Sequence, residues 1–282
     1  MMGADAIGAD TTHGDDPAGF SALIARIADE SGFRCHSYKE RCLRRRIAVR
    51  MRARGVHTFS DYSTLLGGDA REWERLLDAL TINVTKLFRN WDAYAALARE
   101  VVPGLWRRDL PELRVWSAGC SSGEEPYSLA TLFHAHAGAV GDTDAVGRLS
   151  VLGTDIDRGS LVAAELGEYA EPAFADTPPE LRARYFSAGY PALVAPEVRA
   201  SVRLRRHDLL HEPPPSEPCH LIVCRNVLIY FDRESQERLF AMFRDQLLPG
   251  GALFLGKVET LLGDSRRGFA PVDARERIFR RL

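Results

Sequence analysis

Cysteine is sparse and unpaired in this sequence. Cys35, Cys42, Cys120, Cys219 and Cys224 form no C-x-x-C motif, which leaves no signature of a zinc ribbon or a redox-active pair. They read as small buried residues, and neither a disulfide nor a bound metal is expected. Long apolar runs are also missing. None approaches the roughly 20 residues that span a bilayer, so no transmembrane helix is expected. The opening stretch MMGADAIGADTTHGDD lacks a basic segment followed by an apolar one, so no secretory leader is expected and the cytoplasm is the expected location. Neither sign of charge dominates: 37 Lys and Arg face 39 Asp and Glu, for a net charge of -2. Bulk charge therefore points to no acidic polymer as a partner. Internal repeats are absent, and the only biased stretches are the beginning and Pro213 to Pro215.

What is present is ordinary globular texture in 282 residues, 45% hydrophobic and 27% charged, enough for a large α/β domain and a small helical one. Residues 1–17, rich in Gly, Asp, Ala and Thr, are expected to form a flexible tail. Residues 18–88 carry helical spacing, with one stripe at Phe20, Leu23, Ile24 and Ile27 and another at Leu43, Ile47 and Met51. Gly32, Gly55 and the pair Gly67-Gly68 punctuate these helices. From 89 to 282 short apolar runs alternate with helix-length amphipathic stretches. The runs are Leu113 to Trp116, Leu149 to Leu152, Val202 to Leu204, Leu221 to Cys224 and Ala252 to Leu255. Such alternation predicts a doubly wound, largely parallel sheet with helices on both faces. At about 186–204, Gly189, Pro191 and Pro196 interrupt the pattern, which suggests a small inserted β-subdomain.

In a doubly wound sheet the ligand lies beyond the carboxyl ends of the strands, and the first strand-to-helix loop carries glycines so that backbone can approach it. Gly119 and Gly123 occupy that loop, between the first strand and the helix expected from Pro126 to His134. A tight turn alone would look the same. The next strand ends in GTDID, which puts Asp155 where a carboxylate can accept from ribose hydroxyls, while Asp157 suits a helix N-cap. Asp155 lies well beyond the roughly 20 residues expected of a dinucleotide fingerprint, so a long connection must intervene. Asp208 follows the third strand, and Asn226 and Tyr230 follow the fourth.

Five stretches together resemble the CheR family, the glutamate methyltransferases of bacterial chemotaxis receptors. They are TINVTKLFRN (Thr81 to Asn90), RVWSAGCSSGEEPYSLA (Arg114 to Ala130), GTDID, CRNVLIYFDRESQ (Cys224 to Gln236) and LLPGGALFLGKVE (Leu247 to Glu259). The resemblance covers most of the chain from about residue 20. It implies an S-adenosylmethionine-dependent methyltransferase sheet of Rossmann-like winding with an inserted β-subdomain, preceded by an all-α domain. The implied reaction esterifies receptor glutamates and leaves S-adenosylhomocysteine. By motif position, cofactor contacts fall on Asn83, Thr85, Arg89, Gly119, Glu125, Asp155, Asp208, Leu209, Asn226 and Val227, with Arg89 and Tyr230 nearest the reaction. A glutamate is already ionised at pH 7 and needs no general base, which suits motifs that contain no histidine.

The segment 39–54 carries Lys39, Arg41, Arg44, Arg45, Arg46, Arg50, Arg52 and Arg54 against the single acid Glu40. A solvated helix face or a nucleic-acid footprint would read alike. In the family the corresponding helix docks on acidic receptor helices, which would fall here to Arg41, Arg44, Arg45 and Arg52. Family members that bind a receptor's C-terminal pentapeptide use a longer, glycine-bearing loop in the β-subdomain; FSAGYPALVAPEVRASV is short, so a pentapeptide-independent monomer is expected. Two positions depart from the family pattern: Leu87 replaces a usual Phe, and Lys257-Val258 replaces His-Ser before Glu259. The alternatives are a cofactor-binding scaffold without catalysis, or a nucleic-acid methyltransferase. Arg225-Asn226-Val227, where the latter would carry an acid or Asn followed by Pro-Pro, weighs against it.

Overall fold

The apolar stripes at the beginning of the chain fold as four helices: α1 (Pro17–Ser31), α2 (Glu40–Ala53), α3 (Phe59–Leu66) and α4 (Ala70–Thr81). Residues 16–31, 33–81, 85–106 and 110–282 are described, in a computed structural model. Phe20, Leu23, Ile27, Leu43, Ile47 and Met51 meet Tyr62, Leu66, Leu76 and Leu80 in one buried cluster. The carboxylate of Asp16 accepts from the backbone N–H of Gly19 and from Ser60 Oγ, each at 2.8 Å, and so caps α1. The helix thus begins within the stretch expected as a tail, and residues 1–15 of that expectation lie outside the described residues. A buried ion cluster ties three of the helices: Glu72 accepts from Arg50 Nε at 2.9 Å, Arg50 Nη2 at 2.7 Å and Tyr62 Oη at 2.8 Å. Bidentate pairing plus the phenol satisfies a carboxylate that would otherwise be costly to bury.

The chain divides into two compact units between Ile82 and Asn83, ahead of the expected boundary at 88. Leu87 and Phe88, both fully buried, belong to the core of the second unit, where an apolar Leu serves the packing that the family's Phe would serve. That unit opens with α5 (Trp91–Glu100) and α6 (Val102–Trp106) and continues through β1 (Leu113–Ala118), α7 (Glu124–Val140), β2 (Leu149–Asp155) and α8 (Arg158–Leu166). Then come β3 (Glu168–Tyr169), α9 (Pro179–Tyr185), β4 (Ala192–Leu193), α10 (Pro196–Ala200) and β5 (Val202–Arg206). It closes with β6 (Cys219–Cys224), α11 (Arg233–Gln246), β7 (Leu247–Leu255), β8 (Phe269–Asp273) and β9 (Ile278–Arg281).

Seven strands form one sheet in the order β5-β2-β1-β6-β7-β9-β8. The first five are parallel, and β9 runs antiparallel to both β7 and β8. The central strands are buried along almost their whole length, as a sheet covered on both faces requires. The long connection before Asp155 is mostly helix, because α7 extends through Val140 before Gly141 ends it in a left-handed conformation. The inserted element is displaced from its expected limits of 186–204. Its two-stranded pairing joins Glu168 and Tyr169 to Leu193 and Ala192, and Val202 to Leu204 belong to β5 of the main sheet. The physical reason is register: Val202 pairs with Val151 and extends the parallel ladder, so the chain is already back in the sheet. All five cysteines are buried and unbridged. Among the described residues no helix is long and apolar enough to cross a membrane.

Candidate active site

The strand order reverses between β1 and β6, since the chain runs outward from β1 through β2 to β5 and then returns to β6 on the other side. Loops leaving the carboxyl ends of these two neighbours part in opposite directions and open a crevice, the usual ligand position in such sheets. Gly119 and Gly123, at φ of 84° and 91°, shape the β1 loop. At Gly119 a Cβ would lie 2.5 Å from Val227 Cγ2, so only glycine lets the two loops approach this closely.

Each loop is held by one carboxylate, half-buried Asp155 on one side and buried Glu259 on the other. Asp155, at the tip of β2, accepts from Ser121 N at 2.7 Å and Asp157 N at 3.0 Å, one bond to each oxygen. Both oxygens keep lone-pair capacity for a further donor. Asp157 caps α8 through Gly159 N at 2.8 Å, as its spacing suggested. Across the crevice Glu259, 3% exposed, accepts from Asn226 N at 2.9 Å, Val227 N at 2.9 Å, Leu228 N at 2.8 Å and Gly256 N at 2.7 Å. Burial pushes both carboxyls above their ordinary range, and these N–H groups oppose it. Asn226 sits at φ 62° under this clamp. Its Oδ1 is buried and has no hydrogen-bond partner among the described residues.

Glu125, in the first turn of α7, is buried and accepts from Ser117 Oγ at 2.8 Å. Burial raises its pKa from the ordinary 4.5 to about 7, opposed first by the guanidinium of Arg225 and also by that of Arg89. Arg89 is half-buried on a short turn between Phe88 and Asn90, which stand at φ 51° and 61°. Phe88 N donates to Ser128 Oγ at 2.8 Å, and Asn90 N to Asp176 Oδ2 at 2.8 Å.

The remaining expected positions are less tightly drawn together. Thr85 is half-buried on the strand-free approach to Leu87, and Asn83 lies outside the described residues. Asp208 follows β5, where its oxygens take Leu210 N and His211 Nδ1, each at 3.0 Å, with Leu209 half-buried beside it. Tyr230 ends a single helical turn after β6, half-buried, in the loop that Glu259 clamps. On α2, Arg41, Arg45 and Arg52 are exposed. Arg44 is engaged within its own unit, with Nε donating to Glu40 at 2.6 Å and its guanidinium 3.9 Å above the Phe20 ring. Sequence reasoning had no role for Glu259 or Arg225, although both stood in quoted motifs. Among the described residues no group of three or more His, Cys, Asp or Glu is placed to hold a metal ion.

A parallel sheet with an antiparallel edge, a glycine loop after β1 and an acid at the tip of β2 defines a cofactor-binding methyltransferase domain. Residues 83–278 match the family described as CheR methyltransferase, SAM binding domain, and residues 18–81 match its all-alpha domain. This chain belongs to the CheR methyltransferase family and is an S-adenosylmethionine-dependent enzyme. A chemotaxis protein methyltransferase of Listeria innocua is 36% identical over 237 residues, covering 84% of this chain and 87% of the relative. One from Klebsiella aerogenes is 34% identical, covering 88% of this chain and 85% of the relative. One from Salmonella typhimurium is 34% identical, covering 86% and 83%. The crevice suits the cofactor: the unpartnered Asn226 Oδ1, the spare acceptor capacity of Asp155 and the close backbone at Gly119 match a ligand rich in N–H and O–H donors.

Proposed function

We propose that this protein methylates glutamate side chains of methyl-accepting chemotaxis receptors in the cytoplasm, acting as a monomer. The observation that carries this reading is the position of Arg89. Hydrogen bonds at Phe88, Arg89 and Asn90 fix the turn that carries it, and its guanidinium favours the charged form of the buried Glu125, so a cation stands where it can meet an incoming carboxylate. Asn83, Thr85, Arg89, Gly119, Glu125, Asp155, Asp208, Leu209, Asn226 and Val227 would hold the cofactor. Bound S-adenosylmethionine supplies an electrophilic methyl group on a positively charged sulfur. An ionised glutamate attacks without a general base, so the protein's contribution is alignment and exclusion of water. Arg89 and Tyr230 would orient the acceptor oxygen, the first by charge and the second by its phenol.

Labelled S-adenosylmethionine incubated with the protein and receptor-containing membranes is expected to give base-labile methyl esters. Cofactor binding with no ester on any receptor preparation would favour the scaffold alternative. The short insert supports a pentapeptide-independent enzyme. Exposed Arg41, Arg45 and Arg52 are proposed as the receptor-docking face, whereas Arg44, already stacked and paired, contributes packing. Reversing Arg45 and Arg52 to Glu should lower receptor methylation several-fold at low salt, with the deficit narrowing as salt screens both proteins. Equal rates at every ionic strength would refute the docking face.

The elevated pKa of Glu125 carries a pH signature. In the free protein the native state holds this proton more tightly than the unfolded chain, so the stabilisation is complete below about 4.5 and lost as pH rises through about 7. Against Glu125→Gln, the wild type should therefore lose stability across that window. A cationic cofactor group beside Glu125 reverses the preference, so cofactor affinity should rise through the same window in the wild type and stay flat in the Gln variant. Parallel calorimetric titrations with no difference between the two proteins would remove Glu125 from the cofactor site.

A further inference from the structure

Arg225 is 6% exposed, and its guanidinium lies 5.1 Å from the centre of the Tyr94 ring and 4.6 Å from that of Phe254. Two aromatic faces fix the plane of a desolvated cation. From that seat Nη1 donates to the carbonyl oxygen of Arg89 at 2.9 Å, and Nη2 reaches Asn90 Oδ1 at 3.4 Å. The segment it holds is unusual. Phe88 and Asn90, on either side of Arg89, both adopt left-handed backbone, which is costly for a non-glycine residue and persists only where the surroundings over-determine it. Ser128 and Asp176 hold the outer residues of this turn, and Arg225 alone of the three bonds to Arg89 itself. Arg225 is also the residue before Asn226, at the start of the loop that Glu259 clamps. The same side chain therefore joins the Arg89 turn to the loop on the β6 side of the crevice.

We propose that Arg225 is a positioning residue for methyl transfer: it sets where the Arg89 side chain enters the crevice by fixing the Arg89 carbonyl against the β6 loop. This rests on the reading that Arg89 handles the acceptor carboxylate. A general structural role is the competing explanation, since loss of a buried, stacked cation would loosen the core whatever Arg89 does. The two differ in whether the effect of Arg225 depends on Arg89.

The test is a double-mutant cycle, with receptor-methylation rates for the wild type, Arg225→Gln, Arg89→Lys and the double variant, and thermal melts on all four proteins. Displacement of Arg89 by about an ångström should cost Arg225→Gln about 10²-fold in turnover. In the Arg89→Lys background the same change should alter the residual rate by no more than about twofold, the limit within which independent effects are normally judged. Equal fractional losses in both backgrounds, or no loss in either, would overturn the proposal. Should Arg225→Gln fail to fold, Arg225→Lys goes through the same cycle. Its ammonium keeps the charge but not the planar two-point reach, so a smaller loss that again vanishes beside Arg89→Lys is expected. Full activity in Arg89→Lys would overturn this proposal together with the reading of Arg89. A loss at Arg89 with none at Arg225 would overturn only this proposal.

Discussion

Arg89→Ala should lose about 10²–10³ in turnover, the usual cost of removing one preorganised electrostatic partner from a reacting centre. The acceptor arrives as a carboxylate and leaves as a neutral ester, so charge at the attacking oxygen falls as the new bond forms. A grip that is too strong on the carboxylate would therefore favour the ground state, and the benefit of Arg89 must lie largely in orientation. Its setting agrees with that demand. The turn is held at Phe88, Arg89 and Asn90 by three separate hydrogen bonds, which leaves the side chain a narrow range of entry. Initial rates with labelled cofactor and receptor, beside calorimetric cofactor affinity for the same variant, check this. A near-normal rate would end the role proposed for Arg89. A loss of cofactor affinity as large as the loss of rate would assign it to cofactor holding instead.

Glu259→Leu should be at least as damaging, by a different route. Four backbone N–H groups converge on this carboxylate, and leucine would strip all of them in a site 3% exposed. Each buried donor left without an acceptor costs about 1–3 kcal/mol, so even after partial relaxation a loss of about 3 kcal/mol or more is expected. Urea unfolding reads that directly, and calorimetry should find cofactor binding lost because Asn226 and Val227 have moved. Glu259→Gln keeps one acceptor oxygen but turns an amide N–H₂ toward donors, so an intermediate result is expected. Wild-type stability in the leucine variant would mean that the loop is held by other contacts.

The scaffold was legible wherever one period dominates. The five apolar runs became β1, β2, β5, β6 and β7; the central strands β1 and β6, covered on both faces, leave near-continuous hydrophobic signatures, whereas the edge strand β5 keeps only Val202 and Leu204. The antiparallel strands β8 and β9 escaped notice, since Pro271, Asp273, Arg280 and Arg281 break any apolar pattern there. Asp157 was readable as a cap because its partners are two and three residues away. Glu259 was not, since three of its four donors lie more than thirty positions earlier. Arg225 was read only as a letter in a motif, and its stacking on Tyr94 and Phe254 exists only once α5 and β7 are in place. Arg44 shows the reverse case. On a helical wheel it belongs with its exposed neighbours, but Phe20 and Phe59 come from other helices and take it out of that set.

The Lys257-Val258 departure falls on the two central residues of a tight turn closed by Glu259 N to Gly256 O at 2.9 Å. Glu259 clamps the loop after β6 and also takes Gly256 N, while Val258 is 72% exposed and the Lys257 side chain 43%. At Gly256 any side chain would collide with Glu259 and Asn226. Constraint and freedom thus alternate within four residues. The central pair, Lys257 and Val258, can be randomised in the laboratory while the flanking Gly256 and Glu259 preserve the loop after β6, so the rim of this enzyme can diversify without renegotiating its centre.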